Sequence, residues 1–156
     1  MAVNASLRTE LGVLLVSAVW LGLLLGVSFL ATPVKFSAPS LTLPVALEIG
    51  RATFAVFNKV EWGTLVLLFI LARAARISRE TWSALGLGGI LAVQTFWLLP
   101  ILDRRLGEII AGGVAPASYH HRAYIAVELA KLILLGFILW AGSARLLAQN
   151  SERRAG

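Results

Sequence analysis

Two groups of polar side chains stand inside apolar sequence, where a charge costs about 2.5–3.5 kcal/mol on insertion scales and needs a reason to be there. The first is Glu48, Arg51, Asn58, Lys59 and Glu61. A helix turns about 100° per residue. With Glu48 at zero, Arg51 falls at about 300°, Asn58 at about 280° and Lys59 at about 20°. Four of the five therefore share an arc of about 100°, and Glu61 falls well off it. The second group is His121, Tyr124, Glu128 and Lys131, spaced by three, four and three residues. It forms a cleaner stripe of about 80°. Leu135 and Ile138 continue that stripe as apolar positions, so its polar part occupies one half of a helix.

These residue types suit charge neutralisation inside a membrane. Lys59 with Glu128, and Glu61 with Lys131, are the expected cross-helix pairs, and Glu128 and Lys131 also stand at i,i+3 on one helix. Such a cluster does one of two things. It locks helices in register, or it lines a small polar cavity that takes a ligand, an ion or a proton. Both readings stay open at the level of sequence.

The only histidines are His120 and His121. Neighbours on a helix point about 100° apart, so they cannot chelate one metal as an i,i+4 pair can. There is no cysteine. A single chain cannot supply two axial histidines to a haem from this pair, and we expect no metal and no cofactor. The phosphate-loop, nucleophile-elbow and zinc-protease motifs are absent, which leaves no catalytic residue to name.

The elements that must carry these groups are membrane spans. The chain has 156 residues, 58% of them hydrophobic and 14% charged, with a mean hydropathy of +0.83. A soluble domain is about 45–50% apolar and about 25% charged. Four apolar blocks of bilayer length occur, at about residues 11–31, 44–75, 81–102 and 122–147. The expected fold is a single all-α domain over residues 1–156, an integral membrane four-helix bundle with a long or kinked second helix. At ~1.5 Å per residue that helix would be about 48 Å long, so it overshoots the hydrocarbon core or breaks near Asn58 or Gly63. The first block exceeds the length of a signal-peptide apolar region and lacks a small residue at Phe29, so we read it as a retained helix.

Gly22 and Gly26 form a G-x-x-x-G on the first span. We read it as a packing site for another helix of the same chain, ahead of a homodimer seam. Trp20, Trp62 and Trp97 read as packing residues. The net charge of +6 comes from arginines and lysines at the ends of apolar blocks, which indicates a bilayer partner and no nucleic acid. Arg8, Arg73, Arg76, Arg79, Arg145, Arg153 and Arg154 fall on one side of a four-span topology, and Lys35, Arg104, Arg105 and Arg122 on the other. The positive-inside rule then gives N-in and C-in.

Short motifs add a resemblance. They are Thr32-Pro33-Val34-Lys35-Phe36, Gly50-Arg51, Asn58-Lys59-Val60-Glu61-Trp62, Leu99-Pro100-Ile101-Leu102-Asp103 and Tyr119-His120-His121-Arg122-Ala123-Tyr124. Together the chain resembles small bacterial four-span proteins of unknown function, distantly similar to the eukaryotic transmembrane protein 205 family. The resemblance implies a four-helix membrane fold and a bacterial inner membrane. It aligns a histidine before the last helix, His120 or His121, and carries over no catalytic residue. The eukaryotic relative's link to drug tolerance implies transport or trafficking. The expected function is a non-enzymatic inner-membrane protein. Its polar cluster would be structural and able to take a small ligand, a lipid or a partner membrane protein. A proton- or ion-coupled transporter and a quinone- or haem-binding redox protein are the alternatives.

Overall fold

The computed structural model describes the backbone of residues 2–113 and 118–155, and the side chains of residues 7–113 and 118–152. The side chains of Arg153 and Arg154, which enter the orientation argument, lie outside the described residues. The helices are α1 (Ala2–Leu24), α2 (Leu43–Ala74), α3 (Ser78–Val93), α4 (Leu99–Ile110) and α5 (His120–Ala155). Four continuous helical rods are long and apolar enough to cross a membrane: Leu7–Ser37, Leu43–Ala74, Ser78–Ile110 and His120–Glu152.

Two rods contain a widened, π-helical segment, Leu25–Ala31 in the first and Gln94–Leu98 in the third. Each is followed, after one residue, by a proline: Pro33 and Pro100. Proline donates no backbone hydrogen bond, and its ring crowds the carbonyl four residues back. A wider turn just upstream relieves that crowding without ending the helix. Threonine hydroxyls take up carbonyls there, Thr32 to Val27 at 2.7 Å and Thr95 to Leu91 at 2.7 Å. The third rod therefore passes beyond Leu102, where sequence suggested an end, and runs to Ile110. The second helix is long and unbroken, with Pro44 in its first turn, where a missing N–H costs nothing.

The rods pack as a ring. The first contacts the second and the fourth, the second contacts the third, and the third contacts the fourth. Successive rods are antiparallel neighbours, and both described chain ends lie at one end of the bundle. The core is a seam of Val13, Trp20, Leu65, Leu68, Leu87 and Leu135, with smaller residues between. The outer surface is apolar too: Leu15, Trp82, Phe96, Ile133 and Trp140 are more than 60% exposed. An apolar exterior around a partly polar interior fits lipid as the surrounding solvent.

Close approach between helices falls at glycines other than Gly22 and Gly26. A Cβ on Gly142 would lie 2.6 Å from Leu14 Cδ2, and one on Gly12 would lie 3.3 Å from Leu71 Cδ1. A Cβ on Gly22 or Gly26 would meet nothing within 4 Å. The expected intrachain packing role of Gly22 and Gly26 is therefore corrected. The first rod presents another face to the bundle, and these two glycines look away from it.

Candidate functional site

The inward stripe of α2 runs through Ala46, Gly50, Phe57, Glu61, Leu65 and Leu68. Glu61 holds the central place in an otherwise apolar seam and is 0% exposed. Facing it from α5 is Lys131, also 0% exposed, with Glu128 one turn earlier at 1%. Lys131 Nζ donates to Glu61 Oε1 at 2.5 Å and lies 2.8 Å from Glu128 Oε1. One ammonium thus bridges two carboxylates.

Each of the other two rods adds donors. The Trp20 indole N–H of α1 donates to Glu61 Oε1 at 3.2 Å. Gln94 Nε2 donates to Glu128 Oε1 at 2.6 Å, and the Ser28 hydroxyl to Glu128 Oε2 at 3.0 Å. Ser28 and Gln94 come from the two π-helical segments. The widened turns so place both neutral donors on the same carboxylate. Tyr124 is buried, with its hydroxyl beside Gln94 and Glu128 and its ring edge-on to Phe54 at 5.4 Å. At ~1.5 Å per residue, Glu61 is about 27 Å from one end of its helix and about 20 Å from the other. Glu61 therefore stands near the middle of its rod, and Glu128 and Lys131 about 12 and 17 Å in from the start of α5.

The nine residues singled out from sequence separate into two sets. Glu61, Tyr124, Glu128 and Lys131 meet in the network. Asn58 is buried beside it, where its amide donates to Thr95 Oγ1 at 2.9 Å and Trp62 donates to the same oxygen at 3.1 Å. Lys59 is exposed on the opposite side of α2, so the expected pair with Glu128 does not form. The arc that grouped Lys59 with Glu48, Arg51 and Asn58 gave relative angles only. The apolar stripe fixes which face turns inward, and it selects Glu61. Glu48 and His121 are exposed. Arg51 forks onto both oxygens of Asp103 on the surface. His120 has polar and ring neighbours: Ser118 Oγ lies 2.5 Å from its Nδ1, and the Tyr119 ring stacks on it at 4.3 Å.

Sequence reasoning missed Ser28 and Gln94 and took Trp20 only as packing. Gln94 carries the one signal that could have found it, an amide in the middle of an apolar span. A second ion pair, half-buried, was also missed: Arg145 of α5 donates to Glu80 of α3, which is 1% exposed. Among the described residues no set of three or more His, Cys, Asp or Glu side chains is placed to hold a metal ion.

The network is short of donors. With every group ionised, two carboxylates against one ammonium leave one negative charge out of water. Among the described residues, the buried side-chain atoms without a hydrogen-bond partner are all oxygens: Glu61 Oε2, Gln94 Oε1, Ser17 Oγ and Glu80 Oε2. Within the triad, both oxygens of Glu128 and one of Glu61 accept a hydrogen bond, and Glu61 Oε2 is bare. Buried acceptors of this kind are rare and costly.

No curated protein and no solved structure matches the chain, so the similarity to the transmembrane protein 205 family rests on the quoted motifs alone. The family model of DUF4149, a domain of unknown function, matches residues 15–109. That segment takes in Trp20, Ser28, Glu61 and Gln94 and stops short of Glu128 and Lys131. The chain belongs to the DUF4149 family.

Proposed function

We propose that this protein is a non-enzymatic, multi-pass protein of the bacterial inner membrane, N-in and C-in, whose central triad binds and releases one proton. The proton resides on Glu61 Oε2. One observation carries the reading: a sealed triad of net charge −1 whose single bare carboxylate oxygen has no donor. A proton on that oxygen neutralises the triad and ends the deficit together. Its loss leaves a buried charge, which favours a rearranged bundle that admits water. Such a two-state element is what a small proton-coupled carrier requires. The donors to Glu128 sit on π-helical segments, which are weaker backbone and frequent at functional sites.

Infrared difference spectroscopy on the protein in lipid, with pH stepped, reads the carboxylic acid C=O band. We expect a band that titrates reversibly and is lost in Glu61→Gln. If every carboxylate signal stays ionised wherever the helices remain folded, the proton site is refuted. The triad is then a fixed clamp, the second reading, which the two short contacts of Lys131 favour.

A further inference from the structure

A groove of about 520 Å³ lies at the end of the bundle where α2 turns into α3, against the later part of α5. Its lining includes Arg76, Arg79 and Arg145, with Ser78 at the start of α3 and Ala141 and Ala144 as an apolar floor. Arg145 is committed to Glu80. Arg76 and Arg79 are exposed and make no ion pair among the described residues.

Arg76 is held there against a backbone preference. The end of α2 closes with Ile77 N–H on the Ala72 carbonyl and Arg76 N–H on the Arg73 carbonyl, both at 3.1 Å. This motif puts its penultimate residue in the left-handed region, which suits glycine. The end of α4 closes the same way, Gly113 to Glu108 and Gly112 to Ile109, and uses Gly112 at φ 85°. At the equivalent place α2 carries Arg76 at φ 56°. Arg76 therefore carries a backbone cost that Gly112 avoids at the equivalent place.

The surroundings of the groove are those of a lipid contact. Arg79 reaches over the Phe137 ring at 6.0 Å, and Phe137 stands 6.1 Å from Trp140 on the apolar outer surface. Trp140 is 68% exposed. Indole and phenyl rings beside guanidinium groups at a helix end mark the headgroup boundary.

We infer that this groove binds the phosphoryl headgroup of an anionic phospholipid, with Arg76 and Arg79 as its ligands and the Ala141–Ala144 floor under the glycerol. Two guanidinium groups with no carboxylate partner among the described residues favour a headgroup that keeps its negative charge over a zwitterionic one. The inference stands apart from the proton site, which lies near mid-bundle.

The test is native mass spectrometry on the full chain in detergent. Phosphatidylglycerol and phosphatidylcholine of the same acyl chains are added in turn. The native protein is expected to retain phosphatidylglycerol preferentially. Arg76→Gly and Arg79→Gln are each expected to lower retention about fivefold, the effect of one basic residue near an anionic surface. Arg76→Gly relieves the backbone and keeps the fold, so its loss of lipid cannot be misfolding. Equal retention of the two lipids, or undiminished retention by the Arg76→Gly, Arg79→Gln double variant, overturns the inference. Displacement by millimolar glycerol phosphate or inorganic phosphate also overturns it, in favour of a soluble phosphate ligand.

Discussion

Lys131→Met removes the one ammonium that both buried carboxylates share. The variant keeps side-chain volume, so the loss is electrostatic. Breaking a buried pair by taking away one partner costs about 3–5 kcal/mol. A second route to the same size is proton uptake. The orphaned carboxylates can avoid mutual repulsion by binding an additional proton. At pH 7 that costs about 3.7 kcal/mol from an ordinary glutamate, at about 1.36 kcal/mol per pH unit. The folded variant then holds more protons than its unfolded chain. Relative to the native protein its stability therefore falls as pH rises, by about 1.4 kcal/mol per unit between pH 5 and pH 7 for that one additional proton. Reversible unfolding in mixed detergent micelles, followed by helical circular dichroism, measures both quantities. Neutralising the whole triad, Glu61→Gln with Glu128→Gln and Lys131→Met, should recover most of the loss, because no unpaired charge remains. A Lys131→Met protein within about 0.5 kcal/mol of the native one at pH 7, or a defect that ignores pH, refutes the reasoning.

Trp20→Phe deletes the indole donor to Glu61 while keeping the ring, and should cost about 0.5–1.5 kcal/mol in the same unfolding assay. Gly142→Val should destabilise by about 1–3 kcal/mol, because its Cβ would crowd Leu14. Gly22→Ala, open on all sides, should be neutral or stabilising by up to about 1 kcal/mol, as for alanine replacing glycine in any helix. Lys59→Gln should leave stability within about 0.5 kcal/mol, since the side chain is exposed and makes no ion pair among the described residues. A loss there like that of Lys131→Met would contradict the orientation of α2.

The four spans were legible because lipid imposes length and composition together. The His121–Lys131 stripe also contained Tyr124, Glu128 and Lys131, which meet in the buried network, since polar spacing on one short helical arc is a local property. The facing helix was harder. Glu48, Arg51 and Lys59 lie on the exposed faces of α2, and so they outvoted Glu61 on the wheel. The apolar positions flanking Glu61 at helical spacing carried the better signal, because the core is what turns a helix. The π-helical segments left no compositional mark except the prolines just after them. Ser28 and Gln94 reach Glu128 only through those widened turns, and ideal helical geometry has no place for that contact.

The lysine of the network resides on α5, while Glu61, Trp20 and Gln94 reside on rods that emerge earlier in synthesis. Until the last rod inserts, Glu61 has no cation to answer it. A nascent three-span intermediate is therefore an incomplete solvation shell around one carboxylate, which can be met by a proton, by water drawn into the membrane or by an insertion chaperone. Delivery of Lys131 closes it. The last rod is thus an assembly checkpoint, and chains stalled before it should be recognisable to membrane proteolysis by the polar seam they expose.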